Sequence, residues 1–294
     1  MPDITVLLQT AFSGLTLGAV YALIAVSLVM VYKVSKIVCF AQGEFFVIGG
    51  LTLATFTNQL GWPLWQALPA TLAIAALLGM VIERGVIRPV RHEGVGTVIV
   101  MTIALSISLQ GIALPIWGRE AHVVPPFTGL PPLEVLGAFL SAQVIIVILI
   151  ALAVFAALWY FFEYSLLGIA MRAAAQAPIG ARLVGISVSR LTRFGWASGV
   201  ALGALAGAVI APLLFVSYSA GTLPMVKAFI AMAVGGLSST AGALVGGFAI
   251  GLMEAYIVGF VSSEFADAIV FLFLIGFLLW RPNGLFGADD KGGM

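Results

Sequence analysis

Two carboxylates sit where the chain is otherwise apolar. Glu44 lies in "VCFAQGEFFVIGG", residues 38–50, and Glu254 in "GLMEAYIVG", residues 251–259. Ionisable groups at membrane depth are costly and usually face a protein interior or an aqueous path. Uncharged polar residues accompany them: Gln42, Gln110, Ser106, Ser108 and the hydroxyls of "GGLSSTAG", residues 235–242, which include Ser238. Together they could line a route for polar cargo or brace helices. Glu44 is about one and a half helical turns from the cytoplasmic end of its apolar run. There it could cap a helix or pair with Lys33, Lys36 or Arg84, and bracing is favoured over cargo contact. For Glu254, function and a protonated group hydrogen-bonded between helices stand level. Ser106 and Ser108 are expected to bond their own helix backbone. Lys227 is expected to snorkel to the outer interface.

Other chemistry is missing from the sequence. There is no G-x-x-x-x-G-K-[ST], and none of the four lysines follows a glycine, so no P-loop is present. HExxH, GxSxG and Cys/His ligand patterns are absent too. His92 and His122 fall in loops expected on opposite sides of a membrane. Cys39 is the single cysteine, so no internal disulfide is possible. Catalysis and a metal centre are not expected.

These polar groups must be held by membrane-spanning helices. The chain of 294 residues is 62% hydrophobic and 9% charged, whereas soluble domains are roughly a quarter charged. It cannot clothe itself in a polar surface. Its 34 glycines suit spans, which tolerate them. A net charge of +1 points to no nucleic-acid partner. Asp3 stands where a cleavable signal would carry a basic residue, so the first apolar run is read as a retained span.

Windows of about 20 apolar residues give nine candidate spans: 8–32, 39–58, 64–83, 95–117, 142–162, 194–216, 222–238, 241–261 and 265–280. The seventh is short and carries Lys227, so eight or nine cross fully. The fold class is an all-α polytopic membrane protein forming one transmembrane domain, 1–294. Lys33, Lys36, Arg84, Arg88, Arg91, Arg172, Arg182, Arg190, Arg193, Arg281 and Lys291 then fall on one side, 11 of 13 basic residues. The positive-inside rule makes that side cytoplasmic. The N-terminus is outside and the C-terminus inside. The outer loop 118–141 is proline-rich and suits a structured lid or docking surface. The inner loop 163–193 reads as a helix up to Pro178. A second short helix follows, from Ile179 to Val184, stopped by Gly185.

Residues 13–19, "SGLTLGA", match 198–204, "SGVALGA", at five of seven positions, and "FVIGGLT" at 46–52 parallels "MAVGGLS" at 232–238. The topology makes these inverted repeats, as in many transporters. Gly199, Gly203 and Gly207 form a double GxxxG; Gly14/Gly18 and Gly247/Gly251 form single ones. Such faces let helix backbones approach closely, here chiefly within the chain.

The ordered set "GLTLGAVYALIAVSLVMVY", "IVCFAQGEFFVIGG", "SLLGIAMRAAAQAPIGARLVGI", "AGALVGGFAIGLMEAY" and "FLLWRPNGLFG" resembles the LivH-type permeases, membrane subunits of branched-chain amino acid ABC importers. The resemblance spans residues 10 to 287. It implies a type II importer-like permease, a second permease subunit, two cytoplasmic ATPase subunits that bind ATP and Mg, and a periplasmic or extracellular substrate-binding protein. No cofactor is implied for this chain, which would lie in the bacterial inner membrane among its lipids. Loop 163–193 corresponds to the family's coupling segment, with Gly168, Met171, Arg172, Ala181, Arg182, Leu183, Gly185 and Ile186 matching it. Small residues there would let a short helix sit close to the ATPase, and arginines could meet acidic groups. Cys39 stands where the family usually has Asn, and "AQAPIGARL" lacks the family's acidic residues. The expected path or bracing residues are Gln42, Glu44, Gln110, Ser238 and Glu254. The competing reading is an autonomous secondary transporter with Glu44 or Glu254 carrying a coupling proton.

Overall fold

The structure, a computed structural model, describes residues 4–90, 93–135 and 137–287. Asp3, Arg91, His92 and Lys291 lie outside them. The long apolar runs become helices in this order: α1 (Ile4–Ser35), α2 (Gln42–Ala54), α3 (Leu64–Ile82), α4 (Arg88–Val90) and α5 (Val95–Trp117). After a hairpin of β1 (Leu133–Val135) and β2 (Ala138–Leu140) come α6 (Ala142–Tyr164), α7 (Leu166–Gln176), α8 (Pro178–Leu183) and α9 (Val188–Ile210). The chain then forms α10 (Thr222–Gly235), α11 (Thr240–Phe260) and α12 (Ala266–Trp280). π-helical turns at Thr55–Gln59 and Glu83–Ile87 extend α2 and α3.

All nine expected segments are helical. Six are long and apolar enough to cross a membrane: α1, Leu64–Val90, α5, α6, α9 and α11; α10 and α12 are shorter. Two expectations need correction. The chain is not wholly α, because β1 and β2 pair antiparallel in the outer loop, with Glu134 opposite Phe139. The sixth segment starts at Val188 and stops at Ile210 rather than running 194–216. Beyond Ile210 the backbone leaves the helix, and Val216 forms a bridge with His122 instead. That bridge ties the outer loop down, as do Asn58 Nδ2 donating to Val123 O and Phe127 N donating to Gln143 Oε1.

Helix α1 is the centre, with 89% of its most apolar window buried, against 11% for α6. An apolar helix so exposed is suited to lipid, which solvates its leucines as well as protein does. Helix α1 packs on α9, α10 and α11, while α9 packs on α1, α2 and α3. The pairings α1–α11 and α9–α3 exchange when the two halves are swapped, as do α1–α10 and α9–α2. The chain is thus built from two similarly connected sets.

Close helix contacts need small residues because no aqueous hydrophobic effect drives spans together. The two single GxxxG motifs are each other's partners: Gly18 faces Gly247 and Phe248, and Gly251 faces Gly14 and Gly18. The double motif splits three ways: Gly199 lies against Val31, Gly203 against Gln42 and Gly207 against the Phe46 carbonyl. All of this packing is within the chain. A Gly251→Leu variant would drive a side chain into the α1 backbone. It is expected to lose about 1–3 kcal/mol, read as a lower melting temperature of the detergent-purified protein. Gly276, with open space around its α-carbon, is the control and should tolerate alanine.

Candidate translocation path and coupling segment

Helix α1 ends at Ser35, and Lys36 takes a left-handed backbone (φ 57°), a conformation uncommon outside glycine. The chain turns there and folds back into the protein before α2 starts. Gln42, fully buried, donates through Nε2 to Ser27 Oγ in α1 and to Gly199 O in α9, both at 2.9 Å. It locks the start of α2 between the two central helices. Gly43 touches Gly221, the residue before α10. The two short helices therefore meet at their N-terminal ends inside the protein.

This corrects the depth of Glu44. Its partners are Ser106 Oγ at 3.1 Å and Gln110 Nε2 at 2.8 Å, and Ser106 is the central residue of α5. Glu44 is thus at mid-depth. Neither Lys33, Lys36 nor Arg84 pairs with it among the described residues. Lys33 instead donates to Thr240 Oγ1 at 2.7 Å and lies 4.1 Å from the Phe162 ring centre. Lys36 lies over Tyr32. The expectation for Ser106 is also overturned, whereas Ser108 does bond its own helix, at Ala104 O. Glu44, Ser106 and Thr222 line an open cavity of about 150 Å³ with Phe40, Ile103 and Met225.

Glu254 belongs to a different device. Its Oε1 accepts from Lys227 Nζ at 2.7 Å and its Oε2 from Tyr21 Oη at 2.9 Å. The same ammonium lies 2.7 Å from Asp267 Oδ1. Helices α1, α10, α11 and α12 are thereby tied at one point. Lys227 is buried and does not snorkel, since two carboxylates hold it inside. Nor is Glu254 a lone carboxyl between helices, because it has a counter-cation. Tyr21 and Asp267 escaped the sequence reading. Gln42 in α2 and Lys227 in α10 thus each give a short helix a buried polar anchor.

Ser238 lies apart from both groups. It is exposed in the turn between α10 and α11, where the glycine-flanked hydroxyls do break the helix. Ser239 caps α11 by accepting from Gly242 N. Ser238 and Lys36 border a cavity with Ala175 and Gln176 of α7. Two buried polar residues lacked any signal in their local sequence. Gln143 joins the outer loop to Val209 O. Glu83, on a π turn, is 3.6 Å from Arg193 Nε, and neither of its oxygens has a hydrogen-bond partner among the described residues.

The inner loop forms α7 and α8 as expected, and Gly185 (φ 81°) ends the second. The eight residues matched to a coupling segment divide by burial. Gly168 abuts Phe161 O at the turn from α6. Met171 and Ala181 are buried with Met30, Phe162 and Leu191, and Ile186 packs against that cluster. These four hold the loop to its own helices, so the small size of Gly168 serves the α6–α7 turn rather than an external surface. Arg172 is exposed and paired with Glu163 at 2.8 Å. Arg182 and Leu183 project outward with Ile179 and Val184, the three apolar side chains being 74–83% exposed.

The sequence of residues 10–278 matches the model of a protein family described as the permease component of branched-chain amino acid transport systems. The chain belongs to this family. The permease is 32% identical to the high-affinity branched-chain amino acid transport system permease protein LivH of Escherichia coli, over 96% of both chains. It is 31% identical to the Pseudomonas aeruginosa permease protein BraD over 99% of both. To a probable LivH of Methanocaldococcus jannaschii it is 27% identical, over 92% of this chain and 89% of the relative. No solved structure matches it. Family, helical architecture and apolar surface together make this permease a polytopic integral membrane protein with a role in transport.

Proposed function

We propose that the chain is one membrane-spanning subunit of an ABC importer for branched-chain or related amino acids. A second permease subunit completes the path, two cytoplasmic ATPase subunits bind ATP and Mg, and an extracytoplasmic binding protein delivers cargo. The names of the relatives support the cargo class. The positive-charge bias supports an N-terminus outside and a C-terminus in the cytoplasm of the inner membrane. The swapped helix pairings support an inverted repeat.

The observation that carries the reading is the α8 tip. Ile179, Leu183 and Val184 are exposed beside Arg182, just before the left-handed turn at Gly185, on the side that the basic residues mark as cytoplasmic. An apolar knob standing on a fixed helical base is suited to docking into a groove of another protein. Glu44 and Gln110 then face the route of cargo, Gln42 and Glu254 brace the helices around it, and Ser238 edges the cytoplasmic cavity.

A self-sufficient, ion-coupled carrier would run on Glu254 or Glu44. Glu254 is already held by Lys227 and Tyr21, Glu44 has no cation among the described residues, and the exposed α8 tip instead fits a chain driven by another subunit. The isolated chain in proteoliposomes is therefore expected to accumulate no leucine under an imposed pH gradient. Gradient-driven accumulation without ATPase subunits would contradict the proposal.

A further inference from the structure

Glu44 differs from the other buried carboxylates of the membrane body in having no cation. Glu254 has Lys227 and Glu83 lies near Arg193, but no basic side chain pairs with Glu44 among the described residues. Both of its hydrogen bonds go to Oε1. The residue is 2% exposed, and Oε2 accepts no hydrogen bond among the described residues. That oxygen is left to the cavity that Glu44 lines. A carboxylate at mid-depth with one oxygen committed and the other open is costly unless it takes up a proton or a cation reaches it.

The cavity fits a particular cation. Its polar groups, Glu44, Ser106 and Thr222, are connected through Gln110, while Phe40, Ile103 and Met225 supply apolar wall. A primary ammonium attached to an aliphatic body matches both. The ammonium would donate to Oε2 while Ser106 and Gln110 hold Oε1 still, and the hydrocarbon would lie on the apolar wall. A hydrated metal ion would find too few oxygen ligands here.

We propose that Glu44 receives the α-ammonium group of an aliphatic amino acid as it passes the mid-depth of the membrane. This deepens the transport reading and rests on it. It assigns to the permease itself a check on cargo: a molecule without a cationic amine leaves the buried carboxylate unpaired.

The test uses the assembled complex with its partner permease and ATPases. Leucinamide carries the amine without a carboxylate, and 4-methylpentanoate carries the carboxylate without the amine. Leucinamide is expected to raise the melting temperature of the wild-type complex and of Glu44→Asp, but not of Glu44→Gln. The 4-methylpentanoate should shift none of them. Glu44→Gln, nearly isosteric, should assemble normally yet take up leucine about tenfold or more slowly, the loss expected for a charged hydrogen bond. Wild-type leucinamide protection retained in Glu44→Gln, or an equal shift with 4-methylpentanoate, would overturn the proposal. So would no leucinamide shift in a wild-type complex that transports leucine, as when a basic residue of a second permease chain fills the site. A wild-type complex that moves no amino acid would instead overturn the transport reading.

Discussion

Lys227→Met is expected to destabilise the permease by about 3–5 kcal/mol, the cost of stranding a buried charge whose partner is removed. Glu254 would keep Tyr21 but lose its cation, and α10, α11 and α12 would lose their shared tie. Glu254→Gln should cost less, because Lys227 keeps Asp267. Asp267→Asn should cost less than about 1 kcal/mol, since its side chain is 45% exposed. The paired change Lys227→Met with Glu254→Leu should recover much of the loss, because the charge left without a partner, Asp267, is half-exposed to solvent. Unfolding of the detergent-purified variants, followed by loss of helical signal, gives the order. Equal stability of Lys227→Met and wild type would show that the ion pair does not hold these helices.

Leu183→Asp is expected to leave the fold intact and abolish coupling. Its side chain is 83% exposed and makes no part of the buried clusters, so folding should change by less than about 0.5 kcal/mol. On the proposed docking role, an aspartate at this apolar tip would carry a charge into the groove of the partner ATPase. Uptake should fall by more than about tenfold, which needs the loss of only about 1.4 kcal/mol of docking energy. Met171→Asp is the contrasting variant, since Met171 is buried and the protein should misfold instead. Uptake by Leu183→Asp at the wild-type rate, with normal stoichiometry of bound ATPase, would remove α8 from the coupling role.

The helices were legible because a bilayer demands long apolar runs: α5 occupies 95–117 as expected, and α6 starts at the expected Ala142. Depth within those runs was not. The segment 39–58 looks like a span that starts at the membrane surface, but Lys36 turns the chain inward and Gln42 fixes α2 beside Ser27. Glu44 consequently finds Ser106 and Gln110, 62 and 66 residues away, rather than the nearby lysines. Lys227 misleads for the same reason. Its place at one end of a short apolar run suggests an interfacial head, while its two carboxylates come from α11 and α12. Loop 163–193 was legible as helix, helix, stop. Its division into buried base and exposed tip was not, because apolar side chains occur in both parts: Met171 is buried in α7 while Ile179 and Leu183 are exposed on α8. Glycine spacing marked close packing correctly, but only the fold shows that Gly14/Gly18 and Gly247/Gly251 meet each other.

The most direct measurement is ATP-driven uptake of radiolabelled leucine by proteoliposomes holding this chain, its partner permease, both ATPase subunits and the binding protein. Accumulation that requires every component, and that stops when the ATPases are made unable to hydrolyse ATP, is the expected result. Accumulation that persists with hydrolysis-deficient ATPases, or none of any amino acid with all components assembled, would contradict an ATP-driven amino acid permease.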